Sequence, residues 1–268
     1  MTVADQRPAA ARHRQPERRA TGHRGATVVG VLGEVLITLG VLLALFVVWQ
    51  LWWTDVAAGA DQRRAIADLD WVVSEPEARD EAETETETTG PRYDEPAPVM
   101  AEPANLTTFA TLQVPRFGPD FMPTITQGTS RPDVLDKGGL GHYEGTAMPG
   151  QIGNFAVAGH RTTYGKPLNR AAELQVGDPL IVQTPDAWYV YRVTGHEIVL
   201  PHQVEVVAPV PNNPGATPTV ASMTLTTCHP MFSARERYVV HSELDYWMPV
   251  SDGVPPDLVA PADPSGGA

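Results

Sequence analysis

Cys228 is the only cysteine in the 268-residue chain. A lone thiol can neither close an intramolecular disulfide nor anchor a multi-cysteine zinc site. It is either buried and inert, as most free cysteines are, or it reacts. Its setting favours partial exposure over deep burial. Thr224-Leu225-Thr226-Thr227-Cys228 reads as a strand, and His229-Pro230 marks the turn that ends it, so the thiol sits where the chain leaves a sheet. A nucleophilic cysteine needs a base or a cation nearby to raise its thiolate fraction. His160 ends the apolar run Phe155-Ala156-Val157-Ala158-Gly159 and offers an imidazole. Arg237 opens the run Tyr238-Val239-Val240 and offers a guanidinium that could stabilise an oxyanion. Arg235 shares the sheet face of Arg237 in an extended strand and replaces it if the register slips by two. His229 is adjacent to the thiol and faces the other way in a strand, as a modulator at most. His142, His196, His202 and His241 read as surface or packing residues.

The elements that must position these groups occupy about 106–249. Short β-branched or aromatic runs recur between Gly and Pro turns: Asn154–Ala158, Pro179–Gln183, Trp188–Val193, Glu197–Leu200, Gln203–Ala208, Thr219–Thr227 and Tyr238–Leu244. Only Leu168–Leu174 suggests a helix, and a short one. Closely spaced strands without a longer internal repeat predict a single β-barrel or sandwich.

The remainder is not barrel-like. Residues 1–25 carry six Arg against two acids, and residues 55–105 carry fourteen acids against four Arg, so the net charge of -13 belongs mostly to a linker. No basic patch offers itself to nucleic acid. Val35 to Thr54 is uncharged and rich in Leu and Val, with Trp49, Trp52 and Trp53 at its far end. A run of that length spans a bilayer as a helix, and the preceding arginines place the N-terminus in the cytoplasm. A cleaved signal peptide with a site near Ala58-Gly59-Ala60 is the competing reading, disfavoured because the apolar run is too long. The expected organisation is a basic cytoplasmic tail (1–25), a transmembrane anchor (26–54), an acidic extracellular spacer (55–105), the barrel (106–249) and a disordered tail (250–268). No cofactor or metal site is expected.

The chain resembles the sortases, cysteine transpeptidases, and most closely the class E housekeeping members of high-GC Gram-positive bacteria. The resemblance spans about Thr111–Leu244. Thr224-Leu225-Thr226-Thr227-Cys228 fits the family's Thr-Leu-x-Thr-Cys signature, Ala158-Gly159-His160-Arg161 its histidine strand, and Arg237 its essential arginine. His142-Tyr143, Thr146-Ala147-Met148-Pro149-Gly150 and Gly153-Asn154 resemble class E. The resemblance implies a closed eight-stranded β-barrel with short helices behind one transmembrane helix. It further implies a catalytic set of Cys228, His160 and Arg237. Cys228 would cleave a Leu-Ala/Pro-x-Thr-Gly type sorting motif of a secreted protein. The acyl group would then pass to an amine of a peptidoglycan precursor outside the membrane. Tyr143, Thr226 and Thr227 are the expected substrate contacts, although Tyr143 reads equally as an ordinary loop aromatic. No Asp-Pro-aromatic lid of the pilin-polymerising kind precedes the barrel. The Ser-His-Gly-Cys motif of L,D-transpeptidases is absent. The non-enzymatic alternative is a tethered barrel that binds wall polymer or surface proteins, with Cys228 buried.

Overall fold

The computed structural model describes residues 23–72 and 90–259. Residues 1–22 of the basic tail, the acidic run 81–87 and residues 260–268 lie outside the described residues. Two compact units divide between Trp49 and Gln50. The described residues of the first belong to a single helix, α1 (His23–Ala67). Within it, Val28–Ala67 has a peak mean hydropathy of 2.7, and it is the one helix among the described residues long and apolar enough to cross a membrane.

The second unit is built on a closed barrel. Its strands are β1 (Thr108–Gln113), β2 (Thr124–Gln127), β3 (Leu140–His142), β4 (Gly153–Ala158), β5 (Pro179–Gln183), β6 (Ala187–Val199), β7 (Ala221–His229) and β8 (Glu236–Pro249). They are ordered β1-β2-β3-β4-β7-β8-β6-β5 around the barrel. The pairs β2–β3 and β4–β7 are parallel and the rest antiparallel. Parallel neighbours need a long crossover. Between β4 and β7 that crossover contains β5 and β6.

Strand periodicity decides which residues fill the barrel. Met223 and Leu225 of β7 join Phe155 and Val157 of β4 and Val240 of β8 in the core. Each such side chain contributes about 1.5–3 kcal/mol on burial. The alternate face of β7, with Thr224 and Thr226, is also buried. A 3₁₀ turn, Val204–Val207, lies over that side of the sheet: Val206 packs with Val199 and Val239, and Asn154 Nδ2 donates to the Val206 and Ala208 carbonyls at 3.2 and 3.0 Å. Threonine therefore suits β7, because its methyl packs and its hydroxyl finds an acceptor.

Some elements differ from expectation. The run 203–208 forms that 3₁₀ turn instead of a strand, its valines serving to cap the sheet. Leu168–Leu174 contributes only the 3₁₀ turn Ala171–Glu173. The runs 188–193 and 197–200 belong to one strand, β6, with a register shift between Val193 and Gly195. A glycine there marks a bulge, not a chain break.

The barrel also holds segments expected to be spacer or tail. Residues 90–105 lie along it as an extended strap: Trp247 Nε1 donates to the Glu95 carbonyl at 3.0 Å, Tyr189 Oη donates to the Pro98 carbonyl at 2.7 Å, and Ala97 and Met100 pack on the core. Residues 250–259 are ordered through a 3₁₀ turn, Val250–Asp252, and α2 (Pro256–Val259). Asp257 there accepts bonds from Arg192 and from the Tyr246 hydroxyl, the latter at 2.7 Å. The structural unit thus exceeds 106–249 at both ends.

Candidate active site

The partly exposed Cys228 is the penultimate residue of β7, and Arg237 is the second residue of β8. The two are direct register partners. Antiparallel partners emerge on the same face of a sheet, so thiol and guanidinium leave side by side. Arg235 precedes β8, is exposed, and has no partner in the ladder.

On its other flank β7 meets β4 in parallel, with Ala158 opposite Thr226. Beyond the ladder, the Gly159 N–H donates to the Thr226 carbonyl at 3.1 Å, and Thr227 Oγ1 donates to the Gly159 carbonyl at 2.8 Å. His160, the next residue, comes level with Cys228. A cysteine, a histidine and an arginine far apart in sequence thus meet at neighbouring ends of β4, β7 and β8.

His160 is oriented by groups its own strand does not supply. Its Nε2 lies 2.6 Å from Oδ1 of Asp136, in the 3₁₀ turn Leu135–Lys137. Its ring stacks on Tyr164, with centroids 5.2 Å apart and planes inclined at 28°. Arg237 Nη1 rests on the carbonyls of Ala234 and Glu236 at 3.1 and 3.0 Å, back toward the β7–β8 turn.

Arg161 lies behind Cys228 and is buried. Its Nη1 donates to the Cys228 carbonyl at 3.3 Å and to His229 Nδ1 at 2.9 Å, and its guanidinium lies 5.0 Å from the Tyr238 ring centroid. A guanidinium only donates, so His229 Nδ1 must be the acceptor. Burial pushes the Arg161 pKa below its ordinary value, opposed by the negative charge that Tyr238 and Cys228 carry when ionised. His229 is thereby tied into the support beneath the thiol.

The three expected substrate contacts separate. Tyr143 Oη lies 2.9 Å from Thr226 Oγ1, and Thr226 shares the face of Cys228 by strand alternation. Thr227 falls on the opposite face and is 3% exposed, its hydroxyl spent on Gly159. The expectation of a substrate contact at Thr227 gives way to a tie between the cysteine and histidine strands.

The other histidines divide as well. His142 is fully buried, 2.7 Å from Gln127 Oε1 and 2.8 Å from Thr146 Oγ1, and burial lowers its pKa. His241 Nε2 donates to Glu197 at 2.7 Å, and its Nδ1 lies 3.1 Å from Thr224 Oγ1. His196 stacks beside Tyr238, and His202 is exposed. Asp136 and Arg161 are the polar groups sequence reading missed. Arg161 was signalled only by adjacency to His160, and Asp136 by nothing local.

A closed eight-stranded barrel with cysteine, histidine and arginine on adjoining strand ends defines a cysteine transpeptidase of the sortase kind. Comparison with known proteins agrees. Residues 112–245 match the sortase domain family. The chain is 37% identical to sortase SrtE1 of Streptomyces coelicolor over 96% of its own length and 69% of that protein's. Among solved structures, the SrtA sortase from Actinomyces oris is 44% identical, with a TM-score of 0.60 over 63% of this chain and 98% of that one. The crystal structure of sortase E1 from Streptomyces coelicolor, with a tripeptide in its active site, is 36% identical, with a TM-score of 0.53 over 58% of this chain and 99% of that one. The chain belongs to the sortase family, and within it is of the class E type.

Proposed function

We propose that this transpeptidase cleaves secreted proteins bearing a C-terminal Leu-Ala/Pro-x-Thr-Gly type motif between Thr and Gly and joins them to an amine of a peptidoglycan precursor. The Cys228 thiolate attacks the Thr carbonyl, and Arg237 leaves its turn carbonyls to hold the substrate and the oxyanion. Collapse breaks the C–N bond as His160 protonates the departing glycine amine, leaving a thioester. The acceptor amine attacks the thioester, His160 takes its proton, and the C–S bond breaks to release the Cys228 thiolate. With Nε2 engaged by Asp136, Nδ1 is the nitrogen assigned to these transfers. Tyr143 and Thr226 border the motif.

The observation that carries this reading is the register of β4, β7 and β8, which aligns the three groups at one edge. The tripeptide in the Streptomyces coelicolor active site supports a short peptide substrate. The apolar part of α1 supports a single-pass anchor, with its arginine-rich N-terminus cytoplasmic and the barrel outside.

The test is mass spectrometry of the full chain with a panel of sorting peptides. A thioester adduct on Cys228 with a Leu-Ala-x-Thr-Gly peptide is expected, with none in Cys228→Ala. Turnover by Cys228→Ala would refute the assignment. Protease added to wall-stripped cells should clip the acidic spacer; full protection would reverse the orientation.

A further inference from the structure

The groups that orient His160 are themselves gripped by one face of α1, within the barrel's own structural unit. The loop after His160 passes through three consecutive residues of positive φ: Tyr164 at 53°, Gly165 at 74° and Lys166 at 41°. Non-glycine residues seldom hold that conformation, and they keep it only where surrounding groups enforce it. Asp55 is placed to enforce it. Its Oδ1 accepts from the Gly165 N–H at 3.1 Å, and its Oδ2 accepts from Lys166 Nζ at 2.7 Å.

Asp55, Ala58 and Gln62 are spaced to lie on one side of a helix. Ala58 is 1% exposed. A methyl group added to Gly138 would stand 3.0 Å from the Ala58 Cβ and 3.1 Å from its carbonyl oxygen, and one added to Gly165 would stand 3.6 Å from the same Cβ. Alanine on the helix and glycine on both loops are what let these backbones approach. Gln62 completes the grip. Its Nε2 donates to the Lys137 carbonyl at 3.2 Å, while its Oε1 accepts from the N–H and hydroxyl of Thr124 at 3.0 and 3.1 Å.

The gripped peptide units adjoin the two groups that touch the His160 ring. Lys137 follows Asp136, and Gly165 follows Tyr164. We infer that Asp55, Ala58 and Gln62 are positioning residues for His160, a clamp that fixes its carboxylate partner and its stacking partner from outside the barrel. The inference rests on His160 being the acid–base group. A clamp acting only on the histidine changes the rate of proton transfer. It leaves the face of Thr226 and Tyr143, and so substrate affinity, as it was.

The experiment uses the full chain in detergent micelles with a fluorogenic Leu-Ala-x-Thr-Gly peptide. Asp55→Ala and Ala58→Arg should each lower kcat about tenfold. KM should stay within about twofold of the parent value, and the pH profile of kcat should shift, since the orientation and partner of the titrating group have changed. Asp55→Glu should recover most of the loss. The Asp55 side chain is 28% exposed; a thermal midpoint of Asp55→Ala well above the assay temperature, with a parent-like circular dichroism spectrum, separates positioning from folding. Unchanged kcat and pH profile in both variants, with His160→Ala inactive, would overturn the clamp and leave the catalytic reading standing. A rise in KM at unchanged kcat would overturn it equally. An active His160→Ala would instead remove the reading on which the clamp rests.

Discussion

The carboxylate of Asp136 lies 2.6 Å from Nε2 of His160, although the two residues belong to different connections of the barrel. That contact fixes Nε2 as the imidazole nitrogen that faces the carboxylate and leaves Nδ1 as the one proposed for proton transfer. Asp136→Asn keeps the shape but changes what the side chain can accept. We expect kcat to fall between about tenfold and a hundredfold, no more than the lower end of what whole acid–base catalysis contributes. Thermal stability should barely change. Steady-state kinetics beside a melting curve decides it, and a parent-like kcat would make Asp136 a bystander.

Arg235 and Arg237 should separate cleanly. Arg237 is the register partner of Cys228, whereas Arg235 is exposed ahead of the strand. Arg237→Ala should lose about two orders of magnitude or more in kcat/KM, as expected for an oxyanion-stabilising donor. Arg235→Ala should retain nearly full turnover of the sorting peptide. The reverse result would mean that the turn rearranges when substrate binds.

Stability should depend on pH through His142. Burial lowers its pKa below the ordinary 6.5. The unfolded chain then takes up a proton near pH 6.5 while the folded chain stays neutral to lower pH. The unfolded state binds more protons in that window, so stability is full above about pH 6.5 and declines as pH falls toward the folded value. Urea unfolding at about pH 7.5, 6.5 and 5.5 should give this slope. His142→Gln, which cannot titrate, should show a flatter one.

Trimming should reveal how much the barrel depends on its flanks. A fragment confined to 106–249 loses the acceptors of Trp247, Tyr189, Trp188 and Tyr246, which are Glu95, Pro98, Gly253 and Asp257. At about 1 kcal/mol for each lost hydrogen bond, it should be destabilised by roughly 4 kcal/mol relative to a fragment of 90–259. Equal denaturation midpoints would show the strap and tail to be dispensable.

The sequence revealed those features that repeat along a strand. The alternation around Met223 and Leu225, ended by His229-Pro230, placed Cys228 at a strand end. The runs before His160 and after Arg237 did the same for β4 and β8. Asp136 was invisible because a 3₁₀ turn between β2 and β3 carries it to His160, and such a connection has no periodicity to read. The strap and the end of α1 were hidden by composition. Ala58, Ala97 and Met100 are the residues that pack, and they are scattered among acids and prolines that dominate any average over 55–105. The face taken by Thr227, whose hydroxyl bonds the Gly159 carbonyl, was hidden because position in a motif says nothing of orientation.

Closure of the barrel has a further result. An open sheet offers its outermost strand as a template for a neighbouring molecule, and a ring of eight paired strands has no outermost member. Where the ring closes, copies crowded together find no outermost strand on one another's sheets, so the closed part of the barrel resists intermolecular β-pairing without extra charges or prolines to guard it.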